Sequence, residues 1–131
     1  MLAKKIWANF SVKDAKRSHR FYTELGFTPH PQIRDPKLAS FLFGEDEFVI
    51  HFFEKGSQID EFITSGSATT SEIIFTLSAE TEAEVKEFAA KVKEAGGHIF
   101  KDVRRDENNY YGFAFADPDG HKFNVLLMDN M

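Results

Sequence analysis

The chain predicts an α+β fold made of two tandem β-α-β-β-β modules, and three observations carry that prediction. A strand-like alternation opens the chain in "IWANFSV" and returns in "IIFTLSA". Each of these runs leads into a stretch of helical spacing that stops at glycine. Each such stretch is followed by a hairpin-like run, "ASFLFGEDEFVIHFFE" in the first half and "YYGFAFADPDGHKFNVLLM" in the second.

Taken in order, Ile6, Ala8, Phe10 and Val12 alternate with Trp7, Asn9 and Ser11, the pattern of a half-buried strand. A helix follows, capped by Asp14, with Ala15, Ser18, Tyr22 and Leu25 along one face, Phe21 beside them, and Gly26 as the stop. In the second half Ile73, Phe75, Leu77 and Ala79 alternate with Ile74, Thr76 and Ser78. The helix after them starts at Thr81 with Glu84 three residues on, a capping-box pattern. It continues through Val85, Phe88, Ala89 and Val92 and ends at Gly96-Gly97.

Both hairpins are read with four-residue turns. "DPDG" places Asp117 first, Pro118 second and Gly120 fourth, as a type I turn prefers, whereas "GEDE" is less typical. Laying one hairpin on the other pairs Gly44 with Asp117 and Glu47 with Gly120, so His51 falls opposite Asn124. The first strands likewise pair Trp7 with Ile74. The modules then run over about residues 3–55 and 72–129 of a single domain, 1–131, with a connector at 56–71. Within the connector Ile59, Phe62 and Ile63 have helical spacing and suit a short apolar flap, and 64–71 is rich in Gly, Ser and Thr. A lid over a pocket and a plain connection between modules are both open readings.

Composition narrows the chemistry. At 131 residues, with 42% hydrophobic and 28% charged side chains, one domain can bury most of its apolar groups. The absence of cysteine rules out disulfides, thiolate nucleophiles and cysteine-ligated metal centres, so any metal would need His, Asp or Glu. Sixteen basic against 21 acidic residues give a net charge of −5, which disfavours nucleic acid as a partner. "MLAKKIWANF" lacks the apolar run of a signal peptide, and nowhere do about 18 uncharged apolar residues follow one another; the expectation is a cytoplasmic protein with no membrane partner. Fifteen phenylalanines, three tyrosines and one tryptophan are enough to fill a core and also line a pocket.

The combination of "FSVKDAKRSHRFYTELGF" after an opening strand and "FADPDGHKFNVLL" near the end resembles the vicinal oxygen chelate superfamily, which includes glyoxalase I, extradiol dioxygenases and bleomycin-resistance proteins. The resemblance covers nearly the whole chain. It implies sheets curling around a shared cleft with helices outside, and a homodimer. In the metalloenzymes of that group each module supplies one ligand from its first strand and one from its last, usually His or Glu. Carried over, those positions are Trp7 and His51 in the first module and Ile74 and Asn124 in the second. Only His51 is a good ligand: an indole has no usable lone pair, a sec-butyl group has none, and an amide oxygen is neutral.

Alternation places Trp7, Asn9 and Ser11, Val49, His51 and Phe53, Ile74, Thr76 and Ser78, and Asn124, Leu126 and Met128 on cleft-facing sides of their strands. The opposite faces, with Ile6, Ala8, Phe10, Ile50, Phe52, Phe75, Leu77, Phe123, Val125 and Leu127, are apolar and suit packing on the helices. The candidate ligand-binding residues are therefore Trp7, Asn9, Ser11, His51, Phe53, Ile74, Thr76, Asn124 and Leu126, with no catalytic residue and no metal ligand assigned. His51 reads as a cavity histidine bonded to Asn124 or a hydroxyl, as a ligand contact or proton carrier, or as a metal ligand. His19, His30, His98 and His121 share no metal-like spacing and read as surface residues. "VRRDENNYYG" offers Arg104 and Arg105 to an anionic group or is a solvated loop, and Glu87 with Lys91 is an ordinary helical charge pair.

The expectation is a metal-independent small-molecule binding protein that sequesters an antibiotic or metabolite. The alternative is a metal-dependent lyase, isomerase or extradiol dioxygenase using a divalent metal on His51 with Glu54 or Glu72. A structural or regulatory domain is a third possibility.

Overall fold

A computed structural model describes residues 1–63 and 73–128, and its contacts divide the chain into two compact units, Met1–Ser67 and Ala68–Met131. The first holds β1 (Ala8–Val12), α1 (Ala15–Glu24), β2 (Thr28–Pro29), β3 (Leu38–Phe43) and β4 (Phe48–Glu54). The second holds β5 (Ile74–Ala79), α2 (Glu82–Ala95), β6 (His98–Arg105), β7 (Tyr111–Ala116) and β8 (Lys122–Leu127). Each is a β-α-β-β-β module, as the recurring alternation predicts.

The sheets share one topology, β1-β4-β3-β2 in the first unit and β5-β8-β7-β6 in the second. The opening strand runs parallel to the last strand of its own module, with Asn9 beside His51 and Thr76 beside Asn124. An offset that pairs Trp7 with Ile74 also pairs Asn9 with Thr76. The duplication read from the sequence is therefore repeated in the hydrogen-bond register.

Both helices begin where their caps predict. Asp14 accepts hydrogen bonds from the amides of Lys16 and Arg17 at 3.0 and 3.3 Å. Thr81 accepts from the Glu84 amide at 3.1 Å, and the Glu84 carboxylate reaches back to the Glu80 amide at 3.0 Å. Gly96 ends α2 at φ +97°, a left-handed conformation that glycine adopts without a Cβ penalty. The buried face of α1 is Ala15, Ser18, Phe21 and Tyr22, with Leu25 just beyond, and it covers the apolar side of β3 and β4. There Tyr22 stacks on Phe52 with ring centres 4.5 Å apart. In the second unit Val85, Ala89 and Val92 of α2 are buried, and Phe115 and Phe123 lie parallel at 5.3 Å in the sheet beneath. Each large side chain sealed in this way contributes about 1.5–3 kcal/mol relative to exposure.

Three details depart from expectation. The first strand starts at Ala8, so Ile6 does not pack on the helix side; it is 81% exposed and Trp7 lies outside the ladder. Alternation continued into Ile6 because an apolar residue at the right parity looks the same whether or not a neighbouring strand reaches it. Ile73 likewise precedes β5 and is exposed. The second hairpin is tighter than the first. Residues 44–47 bridge Phe43 and Phe48, whereas the Asp117 amide bonds to the His121 carbonyl at 2.8 Å and leaves three residues in the loop. The type I turn does form, closed by the Gly120 amide on the Asp117 carbonyl at 2.9 Å, but Gly120 at φ +93° turns the chain one residue sooner.

Of the connector, Gln58–Glu61 forms a short 3₁₀ helix with Ile59 buried against β1 and β4, while Phe62 and Ile63 are exposed. The Gly/Ser/Thr-rich remainder of the connector, 64–71, lies outside the described residues, as does Glu72.

Candidate functional site

In the first unit β1 and β4 expose one mixed face. Ile50 and Phe52 are buried toward α1, and Asn9, Ser11, Val49, His51 and Phe53 point the other way, partly or fully accessible. Trp7, beyond the strand end, keeps 51% of its surface exposed yet sets its ring edge-on to His51 at 6.5 Å. Phe53 meets the imidazole from its other neighbouring position at 5.7 Å.

The hydroxyl that holds His51 belongs to Ser40. Its Oγ lies 2.8 Å from His51 Nδ1, on the β3 residue directly across the ladder, and Ser40 is itself buried. Asn124 does not fill that role within the described hydrogen bonds. The Ser40 carbonyl also accepts from the His30 amide at 2.8 Å, which anchors the segment carrying His30 close by. Burial lowers the His51 pKa from its ordinary value, and the nearby His30 adds to the shift. The neutral imidazole is thus favoured, with Nδ1 engaged and Nε2 the ring nitrogen left for a ligand.

On the same face Asn9 and Phe53 line a cavity of about 470 Å³ with Gln58, Ile59, Phe62 and Ile63. The apolar segment read from the connector thus forms one wall of this cavity.

The second unit answers why an amide stands at position 124. Thr76 Oγ1 donates to Asn124 Oδ1 at 2.6 Å across the β5–β8 pair, so the side chain is oriented within its own module. Ser78 and Ile74 are exposed on the same strand as Thr76, and Ile74 pairs with Lys122 rather than with Asn124. Met128 is exposed at the strand end.

Asn124 and Leu126 line a second cavity, of about 200 Å³, with Lys101, Asp102, Arg104 and Glu107 among its walls. Gly112 also lines it, and its lack of a side chain lets β7 and β8 approach: a Cβ there would collide with the Val125 carbonyl and press on Leu126. The loop at its rim is ordered by Asp106, whose Oδ1 accepts from the amides of Asn108 and Tyr110 at 2.9 and 3.0 Å.

A model of the glyoxalase/bleomycin resistance protein/dioxygenase superfamily matches residues 6–125, which spans both modules. The chain belongs to this superfamily. Among solved structures, a hypothetical protein from S. aureus is 30% identical with a TM-score of 0.81, over 97% of this chain and 95% of that one. A glyoxalase-related enzyme from Fulvimarina pelagi is 22% identical with a TM-score of 0.76, over 95% and 88% of the two chains. The fosfomycin resistance protein FosX from Mesorhizobium loti is 17% identical with a TM-score of 0.69, over 99% and 96%. The last two likenesses show the fold alone. No curated protein matches the chain closely enough to transfer a function.

The metal ligands of the superfamily's enzymes do not fit the residues found here. In the first unit the pair of positions presents an indole and one imidazole; in the second, a hydrocarbon and an amide whose oxygen already accepts the Thr76 proton. No three His, Cys, Asp or Glu side chains come together to hold a metal ion among the described residues. The alternative ligand Glu54 is occupied elsewhere, since its Oε1 accepts from the Ala15 amide at 3.0 Å at the start of α1.

Sequence reasoning missed Ser40, although a four-residue loop at 44–47 puts it opposite His51 by counting. It noted Arg104 in "VRRDENNYYG" but did not connect that segment with Asn124. Among the other histidines, His19 packs on Phe41 at 5.4 Å from an exposed helical position, and His30 Nδ1 accepts from the Gln32 amide at 3.2 Å.

Proposed function

We propose that this superfamily member is a small-molecule binding protein that holds its ligand by shape and hydrogen bonding, without a resident divalent metal. The observation that carries this reading is the donor set at the four inherited positions. It offers one nitrogen and one neutral oxygen, too few donors and no charge to offset a divalent cation. The sheet faces that bear those positions nevertheless keep polar groups beside apolar walls, the mixture typical of small-ligand sites. In the first unit Asn9 and Ser11 supply hydrogen-bonding groups, Trp7 and Phe53 contact area and His51 a neutral ring nitrogen; in the second, Thr76 and Asn124 supply hydrogen-bonding groups and Ile74 and Leu126 contact area.

Sequestration needs only affinity, so the reading requires no catalytic residue. Antibiotics and metabolites with an aromatic or alkyl body and a few polar groups are the class that suits these walls, and the active species is a homodimer located in the cytoplasm. The test is a thermal-shift screen of such compounds run in excess chelator. A ligand that raises the melting temperature equally with and without chelator supports the reading. Stabilisation that vanishes on chelation, or turnover that depends on added metal, would instead favour a lyase, isomerase or dioxygenase.

A further inference from the structure

The cavity of the second unit carries charges that its own chain does not use. Arg105, next to it in sequence, is engaged: it donates to the Asn109 carbonyl at 2.8 Å, lies 3.8 Å from the Glu82 carboxylate, and sits over the Tyr111 ring. Asp106 is engaged with two loop amides. By contrast Lys101, Arg104, Asp102 and Glu107 line the cavity from solvent-exposed positions, and none of the four side chains forms an ion pair or hydrogen bond among the described residues. Two cations and two anions that share one hollow and leave each other alone are matched to a guest bearing both signs. A singly charged guest would gain from one pair and be repelled by the other.

The neutral lining supports this. Thr76 fixes the Asn124 oxygen, so the side chain's free end is its NH₂, a donor suited to a carboxylate beside the guanidinium and ammonium. Gly112, Ala114 and Leu126 complete the lining beside the body of the guest. At about 200 Å³ the space suits a molecule of amino-acid size, given about 30 Å³ for each water displaced.

We infer that the cavity between β6, β7 and β8 binds a small zwitterion, with Lys101, Arg104 and the Asn124 amide on its carboxylate and Asp102 and Glu107 on its ammonium. This rests on the proposed metal-free binding function and names the ligand class for that site.

The test is an NMR titration of the full chain with four matched compounds: 5-aminopentanoate, pentanoate, pentylamine and pentanamide. The Asn124 side-chain NH₂ and the Gly112 amide report occupancy. The zwitterion is expected to half-saturate at about fivefold lower concentration than either singly charged compound. Arg104→Glu, and independently Lys101→Glu, should weaken 5-aminopentanoate and pentanoate while sparing pentylamine. Equal binding of pentanamide overturns the inference but leaves metal-free binding intact. No response to any compound up to about 50 mM, well into the range of so small a ligand, also overturns it. Zwitterion binding that appears only with an added divalent cation would instead overturn the metal-free function beneath it.

Discussion

With Ser40→Ala, the Nδ1 atom of His51 loses a hydroxyl 2.8 Å away inside a buried strand pair, and stability should fall by about 0.5–1.5 kcal/mol in chemical denaturation. An unchanged midpoint would show that water replaces the hydroxyl at no cost. The pH dependence at His51 follows from the direction of its shift. Its folded pKa is lowered, so between that value and the ordinary imidazole value of about 6.5 the unfolded chain binds more protons. The contribution of His51 is therefore fully present above the ordinary value and is lost as pH falls toward the lowered one. His51→Gln should flatten the decline in melting temperature across that window; a variant that declines as steeply as the parent would assign the dependence to another group. The face on which His51 lies could be read from the alternation of β4, but Ser40 was hidden in a mostly apolar run where alternation carried no polar signal.

Among the elements, the closeness of β7 and β8 depends on Gly112, and Gly112→Ala should cost about 1–3 kcal/mol or more because the new Cβ meets backbone, which cannot rotate away. Chemical denaturation checks this, and a neutral result would mean that the strands separate without loss. Asp14→Ala should cost about 1 kcal/mol by freeing the amides it caps at the start of α1. Helix limits were legible because caps and glycine stops act locally. Strand limits were less so: Ile6 and Ile73 have the right parity, but a strand ends where its partner ends, which a local pattern does not contain. In β6 the register shifts between Ile99 and Lys101 and again between Lys101 and Arg104. Such irregularity breaks the period of two, so alternation could not show that Lys101 and Arg104 share a cavity with Asn124.

At the scale of the whole molecule the duplicated plan was readable, because both modules repeat one order of elements and one register, Asn9 to His51 and Thr76 to Asn124. The superfamily match over residues 6–125 agrees with that reading. No helix among the described residues is long and apolar enough to cross a membrane. The central claim, that this chain keeps the superfamily's modules while binding without a resident metal, is tested most directly by elemental analysis of protein purified without chelator. The account predicts metal far below one ion per chain and no change on His51→Ala. Zinc, nickel, manganese or iron near one per chain, lost in that variant, would contradict it.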